Sequence, residues 1–274
     1  MAPRAQPPSA SAQLATAPAV LLLHGQPGGA ADWDRVVDHL RGRAVTVAID
    51  RPGWDGATAA RDLEGNARAA LAALDARGLA QAVVVGHSLG GAIAAWLAAA
   101  APDRVAALVL AAPAANQAAL YPVDRWLAAP VAGEVAGSLT MAGVGLALTV
   151  PGVRRRIAAM TGIDESYLAF LRRAALRPGA WRAYATEQRA LVRDLPRLEA
   201  QLGSISAPTT IVAGAGDRIV PTQAARELAE QIPGAQLLVS EHAGHMLPQR
   251  DPQLLADAIL AALESCRPST VNDA

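Results

Sequence analysis

The chain has 274 residues, room for one large domain or for one domain carrying an insertion, and at 52% hydrophobic and 18% charged it is neither a disordered chain nor a solvated linker. Its 24 basic and 24 acidic residues cancel, every basic residue is Arg, and no long basic run marks a nucleic-acid footprint. Cys266 is the single cysteine, so an internal disulfide is excluded.

Residues 1–18 are rich in Ala, Pro, Ser and Gln and lack the continuous apolar stretch of a secretory signal. They read as a flexible leader, with the cytoplasm as the default location. Short apolar runs bounded by Gly, Pro or Asp then recur at 20–23, 44–49, 82–85, 105–111, 209–213 and 236–239, as buried parallel strands require. Between and after them lie Ala-rich and Leu-rich stretches with helical spacing at 32–41, 61–77, 89–100, 222–231 and 252–263. This alternation predicts an α/β fold with a mostly parallel, doubly wound sheet. With aromatics at 3%, its core must be built from Ala, Val and Leu.

The alternation breaks between 116 and 202, where helical segments follow one another without a convincing strand. This predicts a helical cap inserted after the fifth or sixth strand, dividing a core of 19–115 and 203–265, with a polar tail at 266–274. Within the insertion, residues 135–153 carry no charge and Arg154-Arg155-Arg156 follows, which superficially matches a membrane span with a basic flank. Four glycines and Pro151 interrupt the run, and the strands on either side must rejoin one sheet. It therefore reads as an apolar lid helix over a pocket, and membrane contact is not expected.

The strongest chemical signal is Gly86-His87-Ser88-Leu89-Gly90-Gly91, set between an apolar strand and a helical stretch. A strand that turns abruptly into a helix projects a serine from the sheet, and small residues two positions to either side let the backbone close around it. Ser88 needs a base to take its proton. His242 and His245 both follow the last strand, and His245 is preferred because Gly244 permits a tight loop and Met246 and Leu247 can pack beneath the ring. The base needs an acid to orient it. Asp217 leaves the strand 209–213 at the edge where Ser88 emerges, with Asp124 as a rival and Asp50 and Asp103 better read as a turn and a helix-terminal residue. Two backbone amides, those of Leu89 and Gln26, are placed to bind an oxyanion. Gln26 lies in His24-Gly25-Gln26-Pro27-Gly28-Gly29, which lacks the lysine of a phosphate loop and the spacing of a dinucleotide turn.

Together these segments resemble the α/β-hydrolase superfamily, specifically its capped members with an HGxPG-type oxyanion loop. The resemblance rests on His24 to Gly28, Asp50-Arg51-Pro52-Gly53, Gly86 to Gly90, Gly214 to Asp217 with Pro221, and Gly244-His245 with Pro248. It implies a nucleophile, acid and base in the chain order Ser88, Asp217, His245. It implies a rim formed by the loop from Asp50 to Gly53, with Trp54 as a pocket wall. Trp54, His24 and His87 are the candidate substrate-facing residues, although an internal hydrogen bond holding the loop is the simpler role for His24. Ser88 argues against epoxide hydrolases and haloalkane dehalogenases, which use a carboxylate. Carbon-carbon hydrolases usually place Trp where Met246 stands, and cofactor-free haloperoxidases place Met where Leu89 stands. A serine hydrolase acting on a small, lipophilic ester is the remaining expectation, needing neither metal nor organic cofactor; a ligand-binding receptor is the non-enzymatic alternative. Acyl transfer shares its intermediate, and oligomeric state is not legible.

Overall fold

Six strands form one parallel sheet: β1 (Ala19–Leu23), β2 (Thr46–Ile49), β3 (Ala82–His87), β4 (Val105–Ala111), β5 (Thr209–Gly214) and β6 (Gln236–Ser240), in the order β2-β1-β3-β4-β5-β6. All six predicted strands are present. The computed structural model describes residues 18–266, so the expected leader and polar tail lie outside the described residues apart from Pro18 and Cys266.

Successive side chains of a strand point to opposite faces, and here both faces are covered. Val84 joins the core with α2 (Leu63–Asp75), α3 (Leu89–Ala100) and α9 (Thr222–Gln231), whereas Val83 and Val85 join the core with α1 (Asp34–Leu40) and α11 (Pro252–Ser265). Asp62 starts α2 by accepting the Gly65 N–H at 2.8 Å. A four-residue helix, α10 (Leu247–Arg250), precedes α11. Because β1 lies between β2 and β3, connections leave it in opposite directions, which opens a crevice at the carboxyl ends of β1 and β3.

Between β4 and β5 lie α4 (Pro122–Leu127), α5 (Ala132–Ala147), α6 (Pro151–Thr161), α7 (Glu165–Leu176) and α8 (Ala180–Glu199). The insertion therefore follows the fourth strand rather than the expected fifth or sixth. The described residues hold no strand before β1. Leu191, Leu195 and Leu198 of α8 reach back into the core beside α3. The uncharged run is also not one helix: α5 and α6 meet at 96° across residues 148–150, with Pro151 opening α6, and no single helix among the described residues is long and apolar enough to cross a membrane. Apart from Met141, α5 does not turn its large apolar side chains inward. It buries Gly133, Gly137, Met141 and Gly145, and a Cβ on Gly137 would lie 3.0 Å from the Tyr184 ring.

Candidate active site

Ser88 sits between β3 and α3 with φ 55° and ψ −120°, a conformation that a residue with a side chain adopts only under strain. The surroundings enforce it. Ser88 N–H donates to Ala111 O at 3.0 Å, and Ala114 N–H donates to Ser88 O at 3.1 Å. A side chain on Gly86 would collide with Gly90 O, and one on Gly90 with Leu23 O, so neither position tolerates anything larger than glycine.

His245 accepts the Ser88 hydroxyl at Nε2 (3.0 Å) and donates from Nδ1 to Asp217 Oδ2 (2.9 Å). Asp217 is nearly inaccessible, at 2% side-chain exposure against 9% for His245. Its second oxygen accepts the Ile219 and Val220 N–H groups at 2.8 and 2.9 Å. These bonds fix the carboxylate, which in turn fixes one tautomer of the imidazole. The loops carrying the pair lie backbone against backbone, with Gly216 N–H donating to Ala243 O at 3.1 Å. The rivals stand elsewhere. His242 is exposed, and Asp124 accepts the Tyr121 N–H at 2.8 Å, capping α4.

Leu89 is the first residue of α3, so its N–H has no acceptor within the helix and is open to an oxyanion beside Ser88. The loop carrying Gln26 abuts the same point, since a Cβ on Gly25 would lie 3.1 Å from that of Ser88. The Gln26 side chain is drawn aside to Tyr184 O at 2.9 Å, which leaves only its backbone for the expected role.

The three candidate substrate-facing residues, His24, His87 and Trp54, are all buried, and for His24 this is the internal role expected as the simpler one. His24 is fully buried, donating from Nδ1 to Gly25 O at 2.8 Å and accepting the Arg51 N–H at Nε2 at 3.0 Å. Burial and the neighbouring Arg51 guanidinium hold its pKa well below the ordinary histidine value. His87 is also buried. It donates from Nε2 to His245 O at 2.8 Å, its ring lies 5.0 Å from that of His245, and burial lowers its pKa to about 3. It thus supports the His245 loop from beneath as a neutral imidazole. Trp54 is buried against Ala180 and Ala183 of α8 and donates to Glu187 at 2.8 Å.

Glu187 belongs to a network that sequence reading missed. Its carboxylate pairs with the Arg51 guanidinium, each side chain 1% exposed, and Arg51 also donates to His24 O at 3.0 Å and Gly25 O at 2.8 Å. One buried ion pair therefore ties the inserted α8 to the loop beside Ser88. The signal available was Arg51 within its turn motif; Glu187 sits on a helix without any motif. A second tie joins Tyr167 of α7 to Asp32, whose carboxyl accepts the phenol at 3.1 Å and is pushed by burial to about pKa 7. Met246 packs with Tyr167, Leu168 and Phe170, so the inserted helices present an apolar surface to the His245 loop. Among the described residues, no group of three His, Cys, Asp or Glu is arranged to hold a metal ion.

A family model described as alpha/beta hydrolase fold matches residues 18–249. The chain is 31% identical over 236 residues to a pimeloyl-[acyl-carrier protein] methyl ester esterase of Nitrosomonas europaea, covering 83% of this chain and 88% of that protein. It is 32% identical over 185 residues to a 2-hydroxymuconate semialdehyde hydrolase of Pseudomonas putida, covering 64% and 60%. Among solved structures, a hydrolase from Pseudomonas aeruginosa PA01 superposes with a TM-score of 0.73 at 28% identity, covering 91% of each chain.

Proposed function

The chain belongs to the α/β-hydrolase fold family, and from that premise we propose that it is a serine hydrolase cleaving the carboxylic ester, or a related acyl bond, of a small lipophilic substrate. The observation that carries this reading is the continuous hydrogen-bonded line from Ser88 Oγ through His245 to Asp217, with links of 3.0 and 2.9 Å. As Ser88 Oγ attacks the acyl carbon, His245 Nε2 takes its proton, and Asp217 stabilises the imidazolium. The negative charge that develops on the acyl oxygen is met by the Leu89 and Gln26 N–H groups. His245 then returns the proton to the leaving alcohol, leaving an acyl group on Ser88. Water, deprotonated by the same nitrogen, attacks that ester; the bond from the acyl carbon to Ser88 Oγ breaks, His245 returns the proton to Oγ, and the acid is released.

The apolar cluster that includes Met246 and Phe170 supports a lipophilic substrate, and relatives named as an esterase and a hydrolase support the reaction class. A fluorophosphonate probe should label the wild-type protein and fail to label Ser88→Ala. Ser88→Ala should also lose about 10⁴-fold or more in ester hydrolysis while unfolding at the same temperature. Ser88-independent labelling, or none in folded protein, overturns the proposal and favours a receptor. The semialdehyde hydrolase relative favours a second reading, cleavage of a carbon-carbon bond, although Met246 stands where such enzymes usually place Trp. Turnover of ring-cleavage diketones faster than esters in one product-resolved panel decides for that second reading.

A further inference from the structure

Large hydrophobic side chains exposed to solvent are unevenly distributed. Among the described residues all but Val45, Ile219 and Leu238 lie in the segment between β4 and β5. On α5 the arrangement inverts the usual amphipathic pattern. Val135, Leu139 and Leu146, 56%, 69% and 60% exposed, share one side, while Gly133, Gly137, Met141 and Gly145, spaced by four, fill the buried side. Gly133, Gly137 and Gly145 pack backbone-close against Leu127, Tyr184 and Leu176, so Met141 is the one large side chain on the inward side. The helix's one charged residue, Glu134, is engaged by Arg189 at 2.6 Å.

Past the 96° bend, α6 also exposes Val153 and Met160, the latter at 77%, together with Arg155 and Arg156. No acidic residue occurs on α6, and Arg155 and Arg156 enter no ion pair among the described residues, unlike Arg154, which contacts Glu165 at 3.4 Å. An extended apolar face bordered by unpaired guanidiniums is complementary to a negatively charged bilayer, which offers hydrocarbon to the one and phosphate to the other. A second copy of this chain offers no free carboxylate from either helix.

We propose that the outer faces of α5 and α6 dock on an anionic lipid surface, with Leu139 and Leu146 entering the interface and Arg155 and Arg156 at the headgroups. The protein lies on the membrane and does not span it. The inner side of α6, at Ile157 and Ala158, packs in the cluster that contains Met246, so the docked face lies one helix away from the His245 loop. Docking is independent of the chemistry proposed for Ser88, and Ser88→Ala should bind vesicles as the wild type does.

The test is co-sedimentation of the full chain with vesicles of phosphatidylcholine alone and of phosphatidylcholine with phosphatidylglycerol in equal parts. The wild type should partition onto the mixed vesicles and weakly onto the neutral ones. L139S/L146S should lose at least about tenfold on both, since the removed side chains are the apolar contribution. R155Q/R156Q should lose about 30-fold on the mixed vesicles only, at about 1 kcal/mol for each arginine near a charged leaflet. Both pairs are exposed, so circular dichroism and melting temperature should stay at wild-type values. Failure of the folded wild type to sediment with mixed vesicles overturns the proposal, as does binding indifferent to both pairs. A solution dimer dissociated by L139S/L146S, without vesicle binding, overturns it in favour of self-association.

Discussion

Two helices of this protein are built from nearly the same residues and put them to opposite uses. Both α3 and α5 are rich in Ala and Gly with a few large aliphatics, and α3 carries no charge while α5 carries one. In α3, Ile93, Trp96 and Leu97 enter the core, and Gly90 and Gly91 let its first turn press against β1 and Pro113. In α5 only glycines and Met141 are buried, and the aliphatics stand in solvent. Apolar composition states that surface must be covered somewhere; it does not say by what. For α3 the cover is the protein's own sheet. For α5 the described residues supply none.

Truncation should expose the contrast most sharply. Ile93→Ala, at a fully buried site, is expected to lose about 2–5 kcal/mol in urea unfolding, and Leu139→Ala, on the open face of α5, within about 0.5 kcal/mol of zero. Equal losses would break the comparison, because they would mean that α5 covers its aliphatics within the monomer.

A second prediction concerns the joint between the two regions, where Tyr167 of α7 meets Asp32. The unfolded carboxyl ionises near pH 3.8, whereas the folded one holds its proton to about 7. The folded state therefore binds more protons across that window, and the residue's contribution to stability falls as pH rises from about 4 to 7. Asp32→Asn should have little effect at pH 4 and raise stability above pH 7, by up to about 4 kcal/mol. Melting temperatures across that range provide the measurement. His87 works in the other direction, since its pKa near 3 makes stability fall as pH drops below 6.5, and the variant should retain that acid limb.

The smallest effect sharpens the glycine side of the comparison. Gly143 lies on the exposed side of α5 with nothing near a new Cβ, so Gly143→Ala should stabilise the protein by about 0.5–1 kcal/mol. In differential scanning calorimetry, a lower melting temperature would show that this side of α5 is covered.

How much was legible in the chain varied by type of signal. The strands at 20–23 and 82–85 were readable because a strand covered on both faces must be apolar throughout, and the turn at Ser88 because only glycine fits at 86 and 90. The Ser88, Asp217 and His245 positions followed from residue types at strand ends, and the structure brings them within hydrogen-bonding distance. The internal role of His24 was the simpler expectation, whereas the burial of His87 and Trp54 was not legible, because a side chain near a reactive one looks the same in sequence whether it points into the crevice or beneath it.

Local rules determined the parallel sheet, the turn at Ser88 and the strand ends that carry Asp217 and His245, since each depends on residues close together in the chain. Tertiary structure alone decided that Arg51 and Glu187 meet 136 positions apart and which side of α5 faces water. Those outcomes depend on which surfaces lie opposite one another after folding, and a desolvated ion pair or a glycine-lined contact leaves no periodic trace in either partner's own sequence.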